Sequence, residues 1–274
     1  MNIGIIGAGI VGSAIEHCFS RVFDIHVHDP LRGTDLNDVL QCVDCVYIAV
    51  PTPTDEQTGR CDTSIVEHIL HALPSDMVAV IKSTVVPGTT QKFHDMFPHL
   101  RIAYSPEFLL ERQSIQDFSN QDLLVVGTHH EDVAQLVFSH HQQAGVMRKD
   151  QFFHVSPTEA ELIKYAKNTF FALKVIFANQ MYDLSQELSA DYSVIKEIMT
   201  ADQSQLIGPS HLEPLMGLRR GYGGKCLPKD TRALRTLASE HGIEYNILEA
   251  MELDNAKLRT ILTGKESQVQ THDD

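Results

Sequence analysis

Short apolar runs recur along the first half of the chain, at residues 3–6, 25–28, 45–50, 78–81, 101–104 and 123–126. Each is too short for a buried helix and most are rich in Ile and Val, so each reads as a strand. Between them lie stretches with apolar positions three and four residues apart, such as 10–19 and 65–73, which read as amphipathic helices. This alternation predicts an α/β fold built on a doubly wound parallel sheet.

The pattern changes at Pro157. Helical periodicity runs almost unbroken from 157 to about 191, and further helices are expected at 193–199, 231–241 and 245–262, with a Gly/Pro-rich loop over 207–228. The expected organisation is therefore a sheet domain (1–156), an all-helical domain (157–264) and a polar, frayed tail (265–274). The helix from Pro157 would be roughly 50 Å long at 1.5 Å per residue. Its apolar residues Phe170, Phe171, Leu173, Val175, Ile176 and Phe177 cover more than one face, so it needs more than one packing partner. The first expected partner is the chain's own sheet domain, and the second is the same helix of another copy, in a two-fold homodimer.

Composition narrows the function classes. A chain of 274 residues with 43% hydrophobic and 21% charged positions can bury one large core or two modest ones. A formal net charge of −14 with scattered basic residues argues against nucleic acid as a partner. No apolar run approaches the ~20 residues needed to span a bilayer, and Met1-Asn2 runs straight into a strand rather than a secretory leader. Five cysteines without framework spacing read as reduced thiols, so a cytoplasmic location is expected. Cys42 and Cys45 form a C-x-x-C, but Cys45 opens an apolar strand and no second pair exists for zinc. His129-His130 and His140-His141 are read as solvated side chains on a surface helix, so no metal is expected.

Gly7-Ala8-Gly9-Ile10-Val11-Gly12 is a G-x-G-x-x-G that follows a strand and opens a helix, the context in which it binds a dinucleotide. Gly7 allows the tight turn, Gly9 lets the backbone approach a pyrophosphate, and Gly12 lets helix and strand pack closely. Asp29 ends the second strand, where an acid meets the ribose 2′-hydroxyl of NAD and repels the phosphate of NADP. Arg32, three residues on, could accommodate that phosphate. The sheet is thus expected to be a Rossmann-type, NAD-binding one.

Three further segments carry chemistry. Lys82-Ser83-Thr84-Val85-Val86-Pro87-Gly88-Thr89 lies at the carboxyl end of a strand, where ligands bind in such sheets. Ser105-Pro106-Glu107-Phe108-Leu109-Leu110-Glu111 is expected to set two carboxylates one helical turn apart. Gly221-Tyr222-Gly223-Gly224-Lys225-Cys226-Leu227-Pro228-Lys229-Asp230 bends the backbone beside a thiol near a helix N-terminus. With Lys225 and Lys229 close by, that is an electropositive setting of the kind nucleophilic thiols occupy. Lys164 and Asn168, four apart on the long helix, share a face, and Lys167 lies off it.

Together with Val50-Pro51-Thr52-Pro53-Thr54, these segments resemble the UDP-glucose/GDP-mannose 6-dehydrogenase family, in family order and over nearly the whole chain. The resemblance implies NAD-dependent, four-electron oxidation of a nucleotide-sugar primary alcohol to a uronate, UDP-glucose to UDP-glucuronate first among the candidates. It implies that Cys226 captures the aldehyde as a thiohemiacetal, which a second hydride transfer converts to a thioester. Lys164, Asn168 and Asp230 would stabilise the oxyanion, and Glu107 and Thr84 would handle the proton and water steps. Pro51, Thr52, Thr84, Glu111 and Lys229 would join Gly7, Gly9, Ile10, Val11, Gly12, Asp29 and Arg32 around the cofactor. Phe108, Leu109 and Gly223 would join Glu107, Lys164, Asn168 and Cys226 around the substrate. The family has a third, C-terminal domain, and this sequence stops where it would begin. Leu206-Ile207-Gly208 lacks the arginine usual in the UDP-glucose branch, and residues 209–214 look more like the GDP-mannose branch. GDP-mannose oxidation, a two-electron β-hydroxyacid dehydrogenase and a nucleotide-binding relic remain alternatives.

Overall fold

The computed structural model describes residues 1–55, 57–201, 208, 210–216, 219–242 and 244–261. The expected tail at 265–274, the end of the last helix at 262, and Leu206 and Ile207 lie outside the described residues. The chain divides into two compact units, Met1–Lys164 and Tyr165–Asp274.

The first unit is a seven-stranded sheet with helices on both faces. Its strands are β1 (Asn2–Ile6), β2 (Asp24–His28), β3 (Cys45–Ile48), β4 (Val78–Ile81), β5 (Arg101–Tyr104), β6 (Gln121–Gly127) and β7 (Met147–Val155), in the spatial order β2-β1-β3-β4-β5-β6-β7. β1 to β5 are mutually parallel, as the alternation predicts. β6 meets β5 antiparallel through the single pair Tyr104 and Gly127, and β7 runs parallel to β6. β1 sits between β2 and β3, so the chain reverses its winding direction there and opens a crevice at the carboxyl ends of the strands.

Strand periodicity builds two cores. Ile3, Ile5, Cys45, Tyr47, Val78, Val80 and Ala103 face one side, with α1 (Ile10–Phe19) and α6 (Glu131–Gln143) packed over them. Ile6, Val46, Ile48, Ala79, Ile81, Ile102 and Tyr104 face the other, against α3 (Ser64–Ala72) and α4 (Thr89–Met96). Two covered faces explain why β3 and β4 read as unbroken apolar runs. Two short helices, α2 (Leu36–Leu40) and α5 (Ser114–Ser119), fill the connections. β7 has no counterpart among the expected strands. It is an edge strand, most of its nine residues are exposed, and its sequence MRKDQFFHV carries too few apolar positions to announce it.

The long helix α7 (Pro157–Glu187) starts where expected and ends four residues early. The unit boundary falls inside it, after Lys164, rather than at 156/157. The reason is that its first turns pack on the sheet unit: Ala160 is part of the second core, and Glu161 caps α4.

The second unit holds the rest of α7, then α8 (Tyr192–Ala201), α9 (Leu227–Glu240) and α10 (Asn246–Arg259). It is helical, with one addition: strands β8 (Leu215–Met216) and β9 (Arg219–Arg220) form a small antiparallel hairpin. Ala172, Val175, Ile176, Tyr222, Leu248, Met251 and Leu258 make its main core. The buried Arg220 guanidinium ties the hairpin to α7, donating to Asn179 Oδ1 at 3.1 Å and to Asp183 Oδ2 at 2.7 Å.

Candidate active site

The glycine loop has the geometry its three glycines predict. Gly7 has φ +98°, and a Cβ there would sit 2.6 Å from the Ala49 carbonyl oxygen. A Cβ on Gly12 would lie 1.8 Å from the Gly7 carbonyl oxygen. A Cβ on Gly9 would meet nothing within 4 Å, so open space faces the backbone there. Gly9 is also the N-cap of α1 and offers no side chain to the first-turn N–H groups. Ile10 and Val11 open that turn. This cradle fits a dinucleotide pyrophosphate.

Asp29 stands beside the cradle. Its Oδ2 accepts the Ala8 N–H at 2.6 Å and its Oδ1 the Leu31 N–H at 2.8 Å. These bonds, Ala8 first, hold its carboxyl below the usual range, helped by the charge of Arg32. On the far side of β1, Thr52 Oγ1 donates to the Thr84 carbonyl at 2.6 Å, drawing together the loops after β3 and β4. Pro51, just before Thr52, is exposed.

A second cluster gathers at the ends of β4 and β5. Glu107 is buried, with Oε2 3.0 Å from the ammonium of Lys82. Lys82 also donates to Ser105 Oγ at 3.3 Å. Phe108 N–H donates to Glu107 Oε1 at 3.1 Å. Lys164 donates to the Glu107 carbonyl oxygen at 2.5 Å and lies over the Phe108 ring. Leu109 is half-buried against the first core. Lys82 was assigned no role by the sequence reading. Its signal was a lysine continuing the wholly buried run of β4, because a cation there needs a partner.

Two expectations for this unit are corrected. Glu107 and Glu111 do not face each other across a helical turn. Residues 105–110 are irregular, with Leu110 extended at φ −87° and ψ 132°, and helical structure starts only with a 3-10 turn at Glu111–Gln113. Pro106 disfavours helix at the residue before it, and Glu111 ends up exposed. His140 and His141 are not solvated. They are 1% and 0% exposed on the sheet-facing side of α6. His140 Nδ1 pairs with the Tyr47 hydroxyl at 2.8 Å, and His141 Nδ1 with the Val137 carbonyl at 2.8 Å. Burial lowers their pKa values to about 4 and about 3. Being uncharged, they are compatible with the core.

Glu161 was also missed. It is fully buried and accepts N–H bonds from Gly88 at 2.6 Å and Thr90 at 2.7 Å, capping the N-terminus of α4. Burial pushes its carboxyl up to about 7 against the opposing pull of those bonds.

In the second unit, Cys226 is the N-cap of α9 and is exposed. The loop before it is held by α10: Asn255 Oδ1 accepts the Tyr222 N–H at 2.7 Å. A Cβ on Gly221 (φ +72°) would sit 2.4 Å from that oxygen, and one on Gly223 would sit 2.8 Å from Arg259 Nη1. One turn into α9, Asp230 is fully buried and its N–H bonds the Cys226 carbonyl. Asn168 Nδ2 donates to Asp230 Oδ2 at 2.5 Å, and Lys229 Nζ lies 2.9 Å from Asp230 Oδ1. Four residues chosen from sequence thus come together around one helix turn. The Lys229 ammonium is turned onto Asp230. Lys225 is exposed, and Lys164 and Asn168 are both buried.

All five cysteines are free. Cys18 and Cys45 are buried as expected, Cys61 is half-buried, and Cys42 is exposed like Cys226. Burial, with Asp44 nearby, pushes the Cys45 thiol up to about 12.

Comparison with known proteins points to one family over most of the chain. Residues 158–257 match the central domain of the UDP-glucose/GDP-mannose dehydrogenase family, and residues 29–144 match that family's NAD binding domain. The chain is 32% identical over 260 residues to a UDP-glucose 6-dehydrogenase of Rickettsia typhi, covering 86% of this chain and 56% of that protein. It is 30% identical over 304 residues to a UDP-glucose 6-dehydrogenase of Haloferax volcanii, covering 91% of this chain and 68% of that one. The solved structure of a UDP-glucose dehydrogenase from the archaeon Pyrobaculum islandicum aligns with TM-score 0.80 at 26% identity, covering 93% of this chain and 68% of that one. The chain thus spans about half the length of the first relatives it matches. On these matches, the chain belongs to the UDP-glucose/GDP-mannose dehydrogenase family.

Proposed function

We propose that this protein catalyses the NAD-dependent oxidation of a nucleotide-sugar primary alcohol to the carboxylate, with UDP-glucose as the substrate and UDP-glucuronate as the product. The observation that carries the reading is the exposed Cys226 thiol at the start of a helix whose first turn holds the buried Asn168, Asp230 and Lys229 contacts. NAD, when bound on the glycine cradle beside Asp29, supplies a two-electron acceptor, so the four-electron change consumes two molecules of it.

The protein's own groups do the rest. The Cys226 sulfur adds to the aldehyde carbon, and the carbonyl electron pair moves to oxygen, giving a thiohemiacetal that keeps the aldehyde from escaping. After the second oxidation the same sulfur is part of a thioester. Water then adds to the acyl carbon and the thiolate leaves, regenerating the nucleophile. Asn168 and Lys164 supply the N–H donors suited to a developing oxyanion. Asp230 orients the Asn168 amide. Glu107 takes the proton of the attacking water, and Thr84 positions that water. The absence of disulfides among the five cysteines fits the cytoplasmic location we infer.

The test is turnover of the full chain with UDP-glucose and NAD. Two NADH per uronate are expected, and Cys226→Ser is expected to abolish acid formation while leaving NAD affinity unchanged. One NADH per substrate, or full activity in Cys226→Ser, would mean that the thiol mechanism is wrong for this protein.

A further inference from the structure

An acid at the end of β2 and an arginine three residues later make opposite demands on the cofactor. Asp29 repels a 2′-phosphate and Arg32 attracts one, so the pair leaves the choice between NAD and NADP undecided. The structure contains a third residue that bears on it. Glu16, on the second turn of α1, takes Arg32 in a two-pronged contact: Nη1 donates to Oε1 at 2.9 Å and Nη2 to Oε2 at 2.8 Å. This is the geometry in which a guanidinium satisfies one carboxylate with both prongs of its fork. The backbone is pinned as well. Arg32 N–H bonds the Asp29 carbonyl at 2.9 Å, Asp29 N–H bonds Thr34 Oγ1 at 2.9 Å, and Gly33 closes the turn at φ +68°.

We infer that Glu16 is a specificity-determining residue: it withholds Arg32 from the 2′-phosphate, so that Asp29 alone decides in favour of NAD. This rests on the reading that the glycine cradle binds a nicotinamide dinucleotide. Two effects act together. Both forked donors are occupied, and the Arg32 charge is offset by a carboxylate on the helix that presents the cradle. Arg32 and Glu16 are 42% and 31% exposed, so water screens the pair and the effect is a modest one. Glu16 is separate from the residues to which catalysis is assigned, and its sequence position, seven residues after Gly9, carries no motif. Only the fold brings it to Arg32.

The experiment is calorimetric titration of NAD and NADP into the full chain and three variants, Glu16→Ala, Arg32→Ala and the double variant. Glu16→Ala should tighten NADP binding by about threefold to fivefold, the upper part of what one partly exposed charge interaction gives, and leave NAD within about twofold. The gain should vanish in the double variant, because it comes from the released Arg32. An unchanged NADP affinity in Glu16→Ala, or a gain that survives removal of Arg32, overturns the inference. A wild-type chain that binds neither dinucleotide overturns the cofactor reading itself, and this inference falls with it.

Discussion

Asn168 of α7 and Asp230 of α9 are both buried and share a hydrogen bond of 2.5 Å, the amide donating to the carboxylate. They lie 62 residues apart in sequence, and their contact joins the long helix to the turn that follows Cys226. A buried carboxylate oxygen that loses its donor keeps its desolvation cost without the compensating bond.

Asn168→Ala should therefore lower stability by about 1–3 kcal/mol in urea unfolding. Asn168→Asp should cost more at pH 8, because it sets two carboxylates together. Equal stability of the two variants at pH 8 would contradict the contact.

Two buried groups make stability depend on pH in opposite directions. The folded-state pKa of His141 is lowered to about 3 from an ordinary 6.5, so its contribution is complete above pH 6.5 and is lost as pH falls toward 3. The folded-state pKa of Glu161 is raised to about 7 from 4.5, so its contribution is complete below pH 4.5 and is lost as pH rises through 7. Melting temperatures from pH 4.5 to 8 should show His141→Phe losing less than wild type on acidification. Glu161→Gln should lose less than wild type on going from pH 5 to 8. Variant curves that run parallel to wild type across this range would refute both assignments.

Phe170, Phe177 and Leu184 are exposed along α7 at seven-residue spacing, and exposed Leu188 follows just past its end. This is the repeat of a helix seam, and the other apolar side of α7, with Val175 and Ile176, is already buried within its own unit. We expect a homodimer at micromolar concentration in sedimentation velocity, with Phe177→Glu shifting it toward monomer. A monomeric wild-type protein would remove the basis for pairing through this helix.

What the sequence determined by itself was whatever is periodic or local. β1, β3 and β4 were legible because strands covered on both faces are apolar nearly throughout, and α1 was legible to the residue because a glycine fingerprint and an amphipathic repeat bracket it. Gly7, Gly9 and Gly12 follow from a turn whose backbone leaves no room for a side chain at two of the three positions. The loop around Cys226 was legible because its glycines and lysines stand next to one another in the chain. The tertiary structure alone decided the contacts between distant segments. Gly88 meets Glu161 across 73 residues, and Tyr47 meets His140 across 93. Nothing local in either partner announces the other, which is why two histidines expected in solvent lie in the core and a glutamate passed over on the long helix caps α4. The edge strand β7 escaped for the complementary reason: with one side open to water it needs no apolar pattern, and only its ladder to β6 makes it a strand. Charge placement followed the same rule. Lys82 and Arg32 could be counted in the sequence, but their partners Glu107 and Glu16 were chosen by packing, because a buried or clamped cation pairs with whichever carboxylate the fold brings within reach.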